Sequence, residues 1–187
     1  MGVGDVLADE FDYVIVGAGS AGCILANRLS ADGRNTVCLL EAGPSDWSPF
    51  IHIPAGFMKT LLDPKINWLY QTDPSHWTGG RVIAAPRGKT LGGSSSINGH
   101  VYNRGQRMDY DGWSQRGNQG WGYADVLPYF MRCEQRIGRG DDTYRGRDGA
   151  VKVTDLGWRD PLCDAFIEGA QELGIPKNFD YNGAKQE

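Results

Sequence analysis

The chain has no excess of positive charge, no cysteine pair at metal-ligand spacing and no long apolar run, and each absence removes a class of function. Its 187 residues carry 19 Lys and Arg against 23 Asp and Glu, a formal net charge of −4. No basic field exists to attract a phosphate backbone, so nucleic acid is not an expected partner and a small molecule is. The four cysteines, Cys23, Cys38, Cys133 and Cys163, stand far apart with no C-x-x-C pair. They suggest neither a zinc site nor a disulfide framework and are read as reduced thiols, with no metal expected. No apolar run approaches the roughly 20 residues of a membrane span, and residues 1–10 lack the basic start and apolar stretch of a signal peptide, so a cytoplasmic location is expected. Histidine is scarce as well, with only His52, His76 and His100 present.

What is abundant is glycine, 27 residues clustered around sharp turns, in a composition that is 40% hydrophobic and so supports a core. Phe11 to Val16 (F-D-Y-V-I-V) is an aliphatic and aromatic run ending at glycine, which predicts a strand buried on both faces in a parallel sheet. Apolar residues at three- and four-residue spacing predict a helix over Ser20 to Ser30, stopped by the Ala-Asp-Gly at 31–33, and Thr36 to Leu40 predicts the second strand of a βαβ unit. Residues 44–80 keep no period and are read as a long irregular cover. Its six large rings, Trp47, Phe50, Phe57, Trp68, Tyr70 and Trp77, are expected to be ordered because they should not remain solvated. Further on, Arg81 to Ala85 reads as a short strand, and Met108 to Arg116 and Tyr123 to Glu134 as helices, with Pro128 marking a kink or a delayed start. Ala150 to Thr154 reads as a half-buried strand and Leu162 to Leu173 as an amphipathic helix ended by Gly174.

Gly17 to Gly22 reads G-A-G-S-A-G, a G-x-G-x-x-G pattern between the first strand and the first helix. Gly17 permits the tight exit from the strand, Gly19 leaves no Cβ between backbone and a pyrophosphate, and Gly22 lets the helix pack closely on the sheet. Unpaired N–H groups at the helix start, around Ser20 and Ala21, face the dianion. Glu41 follows Gly22 by 19 residues at the end of the second strand, where a carboxylate can accept the ribose hydroxyls of an adenosine and repels a 2′-phosphate. This motif predicts a dinucleotide, FAD or NAD, without choosing between them.

A second cluster, Arg87 to Asn98 (R-G-K-T-L-G-G-S-S-S-I-N), holds three glycines and three serines around the apolar anchors Leu91 and Ile97. Backbone N–H groups and hydroxyls in such a turn can approach a flat polar ligand. With Tyr102 to Gly105 (Y-N-R-G) it resembles the signature of the glucose-methanol-choline oxidoreductase family. The resemblance continues in D-Y-V-I-V-G-A-G-S-A-G at 12–22, L-L-E-A-G at 39–43, N-W-L-Y-Q-T at 67–72, D-Y-D-G-W at 109–113, L-P-Y-F at 127–130 and N-G-A-K-Q-E at 182–187. Members acting on aliphatic alcohols or choline are the nearest in kind.

The resemblance implies an α/β fold: a Rossmann-like FAD-binding βαβ domain over residues 1–149, with the βαβ unit at 11–43, the covering loop at 44–80 and the flavin-contacting segment at 87–105. Residues 150–187 would begin an α+β substrate domain, leaving the family fold incomplete and apolar edges exposed. It places the ADP half of FAD on Gly17, Gly19, Ser20, Ala21, Gly22, Glu41 and Ala42. The ribityl chain and isoalloxazine fall to Thr90, Gly92, Gly93, Asn98, Gly99, His100 and Val101. Ile97 stands where some members link FAD covalently through histidine, so FAD is expected to be non-covalent, with His100 the alternative attachment point. The implied reaction is oxidation of a CH–OH donor by hydride transfer to flavin N5, by a dehydrogenase or an oxidase with an unassigned electron acceptor. The histidine-type base that this requires matches none of the three histidines, and the family places it near the C-terminus of a longer chain, so these residues alone are expected to be inactive. Two other readings stay open: a non-catalytic or degenerate FAD-binding protein, and an NAD-dependent Rossmann dehydrogenase.

Overall fold

The computed structural model describes residues 10–186. Residues 1–9 of the segment read for a leader, and Glu187 of the last family-like stretch, lie outside the described residues. The chain divides into two compact units between Val101 and Tyr102. Among the described residues, no helix is long and apolar enough to cross a membrane.

The first unit opens with β1 (Tyr13–Val16), α1 (Ser20–Ser30) and β2 (Val37–Leu40). The strands pair in parallel with Tyr13 opposite Val37 and Val16 opposite Leu40, as a crossover through one helix allows. A polar clasp closes the open end of the pair: Thr36 donates to Asp12 Oδ2 from its N–H at 2.7 Å and from its hydroxyl at 2.9 Å. The Thr36 N–H, and then its hydroxyl, hold the Asp12 carboxyl below the usual carboxylate range. α1 lies close against β1 because residue 22 is glycine; a Cβ there would stand 1.9 Å from Gly17 O and 3.4 Å from Ile15 Cγ2.

Burial on both faces is the expectation for β1 that the structure corrects. Ile15, the residue nearest Gly22, is half-buried, whereas Val14 is 58% and Val16 84% exposed. The sheet has two strands and α1 covers one side, so the alternate side chains have no layer against them.

Residues 44–80 are less irregular than the sequence suggests. They contain α2 (Pro49–His52), a 3-10 turn (Pro54–Gly56), α3 (Phe57–Thr60), β3 (Tyr70–Gln71) and a second 3-10 turn (His76–Thr78). The expectation that the six rings would be withdrawn from solvent is not met. Trp47 is 86% and Trp77 93% exposed, and Phe50, Trp68 and Tyr70 also remain open. Elements one turn long present no continuous face that could cover a large ring. β3 pairs antiparallel with β4 (Ala84–Ala85), the last two residues of the strand expected from Arg81, and a bridge between Asn67 and Gly88 prolongs the ribbon.

The second unit holds α4 (Arg107–Gln115), α5 (Tyr123–Cys133), β5 (Glu134–Arg136), β6 (Val151–Val153) and α6 (Pro161–Glu172). Asp125 Oδ2 accepts the Gly122 N–H at 3.1 Å and Asp111 Oδ1 the Tyr123 N–H at 2.8 Å, so α5 is capped at its first turn. It therefore starts on time and runs through Pro128, which only withholds the bond that the Ala124 carbonyl would receive. Tyr110 joins α4 to α5 through ring contacts with Tyr123 and Phe130 at 6.2 and 5.6 Å. β6 pairs in parallel with β5, so residues from 150 onward pack in the same unit as 102–149.

A buried ionic cluster centres this unit. Glu134 is fully buried and takes Arg104 on one oxygen and Arg145 on the other, the latter at 2.8 Å, while Arg145 Nε lies 3.6 Å from Asp180. Asn182 spans the same region, accepting the Arg104 N–H at 2.8 Å and donating to Tyr102 O at 2.9 Å. Burial raises the Tyr102 phenol above its ordinary value, helped by the Glu134 charge, and burial likewise raises Tyr123.

Candidate functional site

The glycine turn after β1 is held open from both sides. Gly17 leaves the strand at φ +96°, a left-handed conformation that favours glycine, while its N–H still bonds Leu40 O at 2.7 Å. α1 then begins with no side-chain cap at Gly19, and its first helical bond is Cys23 N–H to Gly19 O at 2.9 Å. The N–H groups of Ser20, Ala21 and Gly22 thus precede the helical ladder, the arrangement that receives anions. A Cβ built on Gly19 meets nothing within 4 Å. Glycine there is required by no protein neighbour; it keeps open the space in front of the turn.

Glu41 fixes the other side. Its Oε2 accepts the Ala18 N–H at 2.8 Å and its Oε1 the Gly43 N–H at 2.9 Å, so one carboxylate ties the glycine turn to the end of β2. Each oxygen retains a lone pair for a further donor.

The second glycine cluster docks directly on the first. Gly92 N–H donates to Ala18 O at 2.8 Å, Leu91 N–H to Pro44 O at 3.1 Å, and the fully buried Thr90 hydroxyl to Pro44 O at 2.8 Å. No side chain fits at these contacts: a Cβ on Gly43 would stand 1.9 Å from Lys89 O, and one on Gly93 would stand 2.8 Å from Gly19 Cα. Asn67, also buried, holds the approach by accepting the N–H groups of Leu69 at 2.9 Å and Arg87 at 3.1 Å on Oδ1. The result is a cleft of about 600 Å³. One wall is Val16, Gly17, Gly19, Leu40, Glu41 and Ala42; the other is Trp68, Arg87, Gly88, Gly93 and Ser94.

A family model described as GMC oxidoreductase matches residues 11–187, nearly the whole chain. The chain belongs to the GMC oxidoreductase family. It is 50% identical over 179 residues to the oxygen-dependent choline dehydrogenase of Photobacterium profundum, covering 95% of this chain and 31% of that protein. Among solved structures it resembles pyridoxine 4-oxidase from Mesorbium loti, at TM-score 0.83 and 36% identity over 93% of this chain and 34% of the other. A FAD-dependent oxidoreductase from Chaetomium thermophilum matches at TM-score 0.72 and 29% identity, over 91% of this chain and 31% of the other. This GMC chain therefore spans about a third of the length of the relatives it matches.

Of the residues singled out in the sequence, the GMC chain brings Gly17, Gly19, Glu41, Ala42 and Gly93 to one cleft. Gly92 borders it through Ala18, and Ser20, Ala21 and Gly22 form the helix start behind it. Thr90 lies beneath, with its hydroxyl engaged by Pro44. Asn98, Gly99, His100 and Val101 are outside the lining; Asn98 Oδ1 accepts the His100 N–H at 2.9 Å, holding His100 at φ +59°. Ile97 is buried, 3% exposed. Trp68, Arg87 and Asn67 are the residues that sequence reasoning missed. The 67–72 stretch reads in the sequence as part of an irregular cover, and it is its pairing with the residues before Gly88 that sets Trp68 and Arg87 beside the glycines.

Proposed function

We propose that this chain supplies the dinucleotide cradle of a FAD-dependent oxidoreductase acting on the CH–OH group of donors. The observation that carries the reading is the pair of glycine clusters packed backbone to backbone, with Gly19 facing open space and Glu41 at the rim. The residues fit the group. The N–H groups that start α1 offer donors and a positive dipole end to the pyrophosphate, and the spare lone pairs of Glu41 suit the ribose hydroxyls. Gly93 and Ser94 line the facing wall. The residues from Thr90 to Val101 continue toward the flavin, and Ile97 in place of histidine favours non-covalent retention. When bound, the flavin supplies the redox chemistry, accepting a hydride from the alcohol carbon. The names of the choline- and pyridoxine-directed relatives favour an alcohol as donor. His52, His76 and His100 match no position of the histidine-type base that the family resemblance implies, so the base that takes the hydroxyl proton is assigned to none of them.

Titrating the purified chain with FAD, followed by flavin fluorescence, tests the reading. Gly19→Ala should weaken binding by about tenfold or more while leaving the melting temperature unchanged, since the added Cβ meets only cleft space. Gly22→Ala should instead destabilise the fold, because its Cβ strikes the Gly17 carbonyl. FAD affinity in Gly19→Ala equal to wild type would overturn the proposal.

A further inference from the structure

We propose that Arg87 is a binding residue for the pyrophosphate of the dinucleotide, a role that rests on the cradle reading above. The cleft lining contains one carboxylate, Glu41, and one guanidinium, Arg87, on opposite walls. Glu41 is committed to the Ala18 and Gly43 N–H groups, so its negative charge stays beside the glycine turn. A dianion entering there meets that charge, and the only full positive charge in the lining that offsets it is Arg87.

The backbone of Arg87 is fixed, with its N–H on Asn67 Oδ1 at 3.1 Å and its carbonyl accepting the Trp68 N–H at 2.9 Å. The side chain is not fixed in this way. It is exposed, Nη1 donates to Pro86 O at 2.8 Å, and among the described residues no carboxylate lies within 4.0 Å of it. Nε and Nη2 are left to form the two-pronged hydrogen bonds that a guanidinium makes with phosphate oxygens. The next residue adds no side chain to the wall, because Gly88 sits where a Cβ would stand 2.1 Å from Gly93 O.

The test compares ADP with adenosine, which differ by the pyrophosphate, in calorimetric titrations of the 187-residue chain and its Arg87→Gln and Arg87→Lys variants. Arg87→Gln should bind ADP about 10- to 100-fold more weakly and adenosine within about twofold of wild type, with Arg87→Lys between. The ADP affinity of wild type should fall more steeply with added salt than that of Arg87→Gln. Equal ADP affinity in Arg87→Gln and wild type, or an equal loss for ADP and adenosine, overturns the assignment and leaves the cradle standing. Failure of wild type to bind either ligand overturns the cradle reading, and this assignment with it.

Discussion

A carboxylate oxygen accepts two hydrogen bonds, and on each oxygen of Glu41 one place is taken by a backbone N–H, from Ala18 or from Gly43. The side chain therefore shapes the turn, in addition to the ribose contact proposed for it. In Glu41→Gln the amide nitrogen accepts nothing, so one of those N–H groups loses its partner, and stability should fall by about 1–3 kcal/mol together with FAD affinity; urea unfolding and flavin titration measure the two. An unchanged unfolding midpoint would remove the shaping role. The buried phenols give a second residue-scale prediction. Tyr102 and Tyr123 hold their protons to higher pH folded than unfolded. Their contribution to stability is complete below the unfolded phenol value of about 10 and is lost as pH rises through the higher folded value. Unfolding free energy measured from pH 9 upward should decline, and the Tyr102→Phe, Tyr123→Phe double variant should decline less steeply; parallel curves would refute this.

Elements formed where local chemistry and the hydrophobic period agreed. α1 over Ser20–Ser30 follows its apolar spacing, and the strand–turn–helix start was legible because Gly17, Gly19 and Gly22 each have a separate steric task. The docking of Gly92 on Ala18 was not legible, since nothing in one glycine cluster encodes the position of another some 70 residues away. Burial was misjudged for the same reason. Val16 has the residue type of an interior strand, yet the layer that would cover it is a tertiary matter. The Glu134 cluster was also unseen, because Arg104, Glu134, Arg145 and Asp180 look like surface charges until β5 and the 140–147 loop bring them together. Removing one member leaves charges buried without a counterion. Glu134→Ala should cost about 3–5 kcal/mol, read by chemical denaturation of the chain, whereas Asp142→Ala, which breaks only the exposed pair with Arg147, should cost within about 1 kcal/mol. Similar costs for the two would mean that burial does not govern the cluster.

For the molecule as a whole, the question is how much of an alcohol oxidation these residues can perform. The proposed cradle is made within the first unit by residues that are mutually hydrogen-bonded. Proton removal is a different requirement, because a base must stand within hydrogen-bond reach of the donor hydroxyl. His52 is turned toward Asp46, with Nε2 2.7 Å from its carbonyl oxygen. His76 lies edge-on to Trp77 at 5.5 Å, and His100 sits in the turn closed by Asn98. None of the three is the base proposed for this reaction. Losing general-base assistance alone lowers rates by about 10²–10⁴-fold. The chain loaded with FAD and offered choline or a simple primary alcohol should therefore bleach a redox dye no faster than free FAD does. Alcohol-dependent bleaching well above that background, retained after all three histidines are replaced, would place the base among other residues of this chain and remove the separation of cradle from chemistry.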